Sequence, residues 1–214
     1  MTRVPAGPAR NTKSATEREN MTYKSYATNM TYNLDSQKLI PPHGGYRNLK
    51  SYQSTTIIYD LTVDFCRRFV REARMRDQMD QAARSGRQNI AEGCQASGTS
   101  KKTELKLVGV ARASLEELLL DFEDFLRQRG LQMWSKDSEE AKAIRALAYK
   151  TDRSYETYRS YSEDPATAAN AAICLIHQAN YLLDQQLRAL EKEFIEHGGF
   201  TERLYAMRKE SRGY

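Results

Sequence analysis

Beyond residue 50, apolar residues recur every three to four positions, and that spacing predicts helices. Ile57 or Ile58, Leu61, Phe65 and Phe69 set the pattern over residues 51–74. Residues 77–93, DQMDQAARSGRQNIAEG, continue it with Met79, Ala82, Ala83 and Ile90 on one face. The clearest periodicity runs through residues 100–129, where Val108, Ala111, Leu115, Leu118, Phe122 and Phe125 alternate steps of three and four. That is the seam of a helix packed on antiparallel neighbours, and Gly130 is a natural stop. Residues 137–163 read as a more polar helix with Ile144, Leu147, Ala148 and Tyr155 as its apolar positions. Pro165 suits the first turn of a final helix, in which Ile176, Ala179, Leu183, Leu187, Leu190 and Phe194 repeat until Gly198 and Gly199. No segment alternates like a strand. The pattern predicts an all-α protein, an antiparallel up-down four-helix bundle with an additional helix and a flexible N-terminal arm.

Residues 1–45 hold few aliphatics, and Pro5, Pro8, Pro41 and Pro42 interrupt regular structure. They are expected to form a disordered basic arm, with order beginning around Tyr46. Residues 46–200 are expected to form the bundle domain and residues 201–214 a basic tail.

Charge sharpens this division. The net charge of +5 is accounted for by residues 1–50, which carry eight Lys or Arg against three acids; the remainder balances. Within that remainder the signs segregate into a basic stretch over 67–112 and an acidic one over 113–200. Such segregation suits a polyanion on one surface or head-to-tail contact between copies. The candidate phosphate-binding residues are Arg67, Arg68, Arg71, Arg74, Arg76, Arg84 and Arg87, joined by Lys101 and Lys102 at the start of the next helix. Guanidiniums at i, i+3 and i+4 line up along a helix, as a nucleic acid backbone requires. The competing reading is a solvated stripe laced with Glu72, Asp77 and Asp80.

Other chemistry is weakly represented. Residues 93–101, GCQASGTSK, fall one residue short of a phosphate-cradling loop. They lack both the preceding strand and the lysine, so a helix–helix turn is expected, with Gly93 ending one helix and Thr99 or Ser100 capping the next. Glu117, Asp121 and Asp124 share a helical face, but no Glu-x-x-His partner completes a metal site. No catalytic set is apparent among the three histidines, the three cysteines and Ser85. Hence neither catalytic activity, metal nor cofactor is expected. Three scattered cysteines point to a reducing cytoplasm, and no apolar run approaches a membrane span. Tyr149, Tyr155, Tyr158 and Tyr161 could stack on bases, although such a stripe more often packs between helices or subunits.

At Asn89, Ile90, Ala91, Glu92 and Gly93 the sequence resembles a bacterial four-helix bundle family. That family includes proteins encoded in intervening sequences of large-subunit ribosomal RNA genes and accessory proteins of diversity-generating retroelements. Gln78, Ala82 and Ser85 match the first part of its pattern. Glu104, Ala111, Ser114, Leu115, Glu117 and Leu118 match the second. Gln81, Gly86 and Ala113 depart from it. The longer stretch, roughly 44–200, looks like the four-helix bundle suffix domain branch. The resemblance implies an antiparallel bundle assembled as a ring-like pentamer with a basic surface; in the retroelement branch it also implies contact with nucleic acid and a reverse transcriptase. The motif residues are small or amide-bearing, which suits close helix packing, and Asn89 and Glu92 are expected to bond to each other or to a neighbouring subunit. The expected function is therefore a non-enzymatic homo-oligomer that binds nucleic acid, RNA in preference. The alternative is a scaffold that docks a protein partner.

Overall fold

The computed structural model describes residues 38–150 and 152–213, so the expected disorder of residues 1–37 lies outside the described residues. Among these residues the structure is all-helical, and five helices pack together. They are α1 (Lys50–Phe69), α2 (Ala73–Ala96), α3 (Lys101–Gln128), the short α4 (Glu139–Leu147) and α5 (Pro165–His197). A sixth, α6 (Phe200–Arg212), follows the break at Gly198 and buries none of its residues.

α2 packs on α1 and α3, and α5 packs on α1, α3 and α4. Side-chain contacts fix the directions. Ser51 Oγ donates to Gln186 Oε1 at 2.9 Å, while Arg68 at the far end of α1 donates to the Ser162 carbonyl just before α5. Along α3 and α5, Lys101 meets Glu193, Arg112 meets Asp184 and Asn180 meets Glu116. Each pair runs antiparallel. The seam of α3 lies in the core as its spacing demands: Val108, Ala111, Leu115, Leu118 and Phe122 are fully buried. Phe65 of α1 sits edge-on to Phe122 and Phe125, with ring centroids 4.9 and 4.7 Å apart. Each such large apolar side chain contributes about 1.5–3 kcal/mol on burial.

The helix termini follow local chemistry. Ser100 Oγ accepts from Thr103 N at 3.1 Å and starts α3. At α5, the Asp164 carboxylate accepts from Ala166 N and Thr167 N ahead of Pro165. Gly130 closes α3 with φ +63°, a left-handed conformation in which a side chain would be strained.

Two expectations are corrected. First, the predicted helix over 137–163 is helical only at Glu139–Leu147, followed by 3₁₀ turns at Tyr155–Thr157 and Arg159–Ser162. Ser154 N donates to Thr157 Oγ1 at 3.2 Å, a local bond that restarts the chain instead of letting the helix continue. Tyr158 turns into the core there, whereas Tyr149 is 91% exposed. Second, the arginine-rich segment does not belong to one helix. The chain breaks at residues 70–72, where Arg76 Nη1 donates to the carbonyls of Val70 and Arg71 at 3.1 and 3.2 Å. Residues 201–214, read from the sequence as a basic tail, hold most of α6.

Candidate functional site

The family-like residues converge on one face. Gln78, Ser85, Ser114 and Glu117 line an open hollow of about 370 Å³ between α2 and α3, together with Arg74, Asp77, Gln81 and Ala82. Inside it, Ser85 Oγ and Ser114 Oγ are 2.9 Å apart, bonding α2 to α3. Asn89 Nδ2 donates to the carbonyl and hydroxyl oxygens of Ser85 at 2.9 and 3.0 Å. Ser114 also donates to Val110 O at 3.0 Å. Polar groups here join two helices and offer no activated nucleophile: Ser85 and Ser114 have each other, not a general base.

Asn89 does not bond to Glu92, which faces solvent. Gly93 does not end a helix either, because α2 runs on to Ala96. It permits close approach instead, since a Cβ there would stand 3.3 Å from both the Glu104 carbonyl oxygen and Leu107 Cβ. Just outside the hollow, α3 shows solvent two apolar side chains, Val110 at 40% and Leu120 at 57% exposure. Asp121 lies beside Leu120; burial, with Glu117 and Asp124 adding to it, pushes its carboxyl up.

The nine candidate bases do not form one surface. α2 is about 36 Å long at 1.5 Å per residue, and it separates Arg67, Arg68, Arg71, Arg74 and Arg76 from Lys101 and Lys102. Arg67 and Arg68 both pair with Asp64, at 2.7 and 3.2 Å. Burial would raise the Asp64 carboxyl, but hydrogen bonds from Arg68, Tyr155 and Arg67 outweigh it and hold it low. Arg76 is spent on backbone carbonyls, and the Arg87 guanidinium lies 4.2 Å from the Tyr59 ring centroid. Arg71, Arg74, Arg84 and Lys102 stay exposed.

Lys101 is the sharpest correction. It was expected on the surface, yet it is 3% exposed. Its ammonium lies 3.2 Å from the fully buried Glu104 and 3.3 Å from Glu193 of α5. Burial pushes the Glu104 carboxyl up to about 7; Lys101 opposes this and Glu193 adds to it. Lys101 and Glu104 are three apart in sequence, which hinted at a pair, but no local signal marked it as buried.

A second open hollow, about 520 Å³, is lined by Asp64, Arg67, Arg68, Tyr155, Glu156, Arg159 and Glu163. Its three guanidiniums face three carboxylates, so it offers no net field to an anion. Among the described residues no group of three or more His, Cys, Asp or Glu is placed to hold a metal, and no helix is long and apolar enough to cross a membrane. Comparison with family models, curated proteins and solved structures finds no match to this chain.

Proposed function

We propose that this chain is a non-enzymatic subunit of a homo-oligomeric scaffold, folded as an up-down four-helix bundle from α1, α2, α3 and α5. The observation that carries the reading is the α2–α3 face. There a solvent-open hollow, lined by the hydrogen-bonded pair Ser85 and Ser114, adjoins the exposed Val110 and Leu120. Apolar side chains beside a polar, hydrogen-bonding groove are what a protein interface buries at its centre. The resemblance favours a pentamer, and three unpaired thiols suit a reducing cytoplasm. Light scattering on the purified chain tests the reading: a mass several times that of one 24.6 kDa subunit is expected, and a strictly monomeric protein overturns it.

Nucleic acid binding, RNA in preference, is the second reading. It is favoured by the exposed Arg71, Arg74 and Arg84 with Arg67 at the nearby end of α1. Affinity should fall with salt at a slope of about −0.7 to −0.9 per phosphate neutralised. Arg71→Glu with Arg74→Glu should flatten that slope; a chain showing no salt-sensitive binding to RNA or DNA excludes this second reading.

A further inference from the structure

The sixth helix is built to be covered. α6 follows a break at Gly198 and Gly199, is capped by Glu202 on Gly199 N at 2.8 Å, and buries none of its residues. Tyr205 is 71% exposed and shares a face with Arg208 and Arg212, at i, i+3 and i+7. Lys209 flanks that face. Across the helix Arg203, Arg208, Lys209 and Arg212 outnumber Glu202 and Glu210.

The outer edge of α3 carries the complementary pattern. Glu117, Leu120, Asp121 and Asp124 repeat at the same three- and four-residue spacing, with Leu120 more than half exposed at the centre. Asp77 of α2 adds a carboxylate beside them. Two cations stand nearby: Arg74 in the hollow and Arg127, which is 2.8 Å from Asp124. Neither lowers Asp121, whose neighbours Glu117 and Asp124 raise it further. The strip is therefore an acidic edge with an apolar centre.

We propose that α6 of one copy docks on the Glu117–Asp124 edge of a second copy, with Tyr205 against Leu120 and Arg208 and Arg212 against the carboxylates. The proposal rests on the scaffold reading and names its surfaces. A chain cannot make this contact with its own α6. The Lys101–Glu193 pair places the end of α5 at the start of α3, and α6 begins seven residues beyond Glu193. Leu120 lies about 28 Å along α3 from Lys101, whereas α6 is about 20 Å long, so folding back leaves it short. Because the two surfaces differ, each copy offers one and receives the other, and the contact passes from copy to copy.

Charge reversal on exposed positions of the full chain tests this. Arg208→Glu with Arg212→Glu makes α6 acidic; Glu117→Lys with Asp124→Lys makes the α3 edge basic. Each double variant alone should lower the assembly constant roughly tenfold or more, read by light scattering. An equimolar mixture of the two should recover association into complexes larger than one subunit, because each supplies the surface that complements the other. Strict alternation leaves one mismatched contact in an odd-membered ring, so open or even-membered complexes are expected from the mixture. Leu120→Ser and Tyr205→Ser, which change no charge, should weaken assembly as well. A wild-type oligomer that all these variants leave unaltered overturns the docking mode and leaves the scaffold reading standing. So does a mixture that stays dissociated. A monomeric wild type overturns both.

Discussion

Replacing Lys101 by methionine removes a cation paired with a carboxylate that has no exposure at all, Glu104. The structure sets the magnitude. The Glu104 carboxyl stands at about 7 in the fold against 4.5 in an unfolded chain, so the fold holds that proton the more tightly. Stability from this group is full below about pH 4.5 and is lost as pH rises through about 7, a change of roughly 3 kcal/mol at 1.36 kcal/mol per unit. Without Lys101 the proton is held to still higher pH. At about pH 8 the variant should lose about 3–5 kcal/mol, the usual consequence of leaving one partner of a buried pair behind. At about pH 5, where Glu104 is protonated in both proteins, the loss should be markedly smaller. Lys101→Met combined with Glu104→Leu removes the stranded charge and should return near to wild-type stability, with the partly solvated Glu193 losing its contact. Urea unfolding at the two pH values measures all three proteins. An equal loss at both pH values, or a double variant no better than the single one at high pH, refutes the assignment of a buried, proton-linked pair.

Two further outcomes follow from backbone and cap geometry. Gly109, inside α3 with no atom within 4 Å of a would-be Cβ, should gain about 0.5–1 kcal/mol on replacement by alanine; Gly93→Val should lose about 1–3 kcal/mol against the Glu104 carbonyl and Leu107, both read by thermal unfolding. Asp164→Ala should cost about 1 kcal/mol at neutral pH. Hydrogen bonds from Thr167 and Ala166 outweigh burial and hold the Asp164 carboxyl below 3.8, so its contribution is present above that pH, and the gap between variant and wild type should close as acid protonates it.

The seam of α3 was legible because a helix packed on two neighbours imposes its period on the sequence, residue by residue from Val108 to Phe125. The stretch at 148–162 misled for the opposite reason. Its tyrosines copy a helical spacing, but the bond from Ser154 N to Thr157 Oγ1 and the burial of Tyr158 decide the path. Lys101 shows the limit of local reading most clearly: its burial depends on Glu193, ninety-two residues away. The residues that carry the resemblance lie scattered along the sequence, and only folding shows that Gln78, Ser85, Ser114 and Glu117 share a hollow while Glu92 stands apart. The basic residues divided because the break at residues 70–72 and the length of α2 separate positions that look continuous along the chain.

The glycine-rich turn after α2 has a consequence for reactivity. A Cβ on Gly98 would stand 2.7 Å from the His43 ring, so that glycine makes room for the segment ahead of α1. Gly44 N donates to Cys94 O at 3.3 Å, and Cys94 Sγ donates to Gly44 O at 3.0 Å. Burial, helped by Glu104, pushes the Cys94 thiol up to about 11. While the segment is seated the thiol is held protonated and buried, so its alkylation is expected to require the segment to lift. Under mild alkylation the modification rate of Cys94 is then a clock for that opening, counting excursions of the segment ahead of α1 from the chemistry of a single sulfur atom.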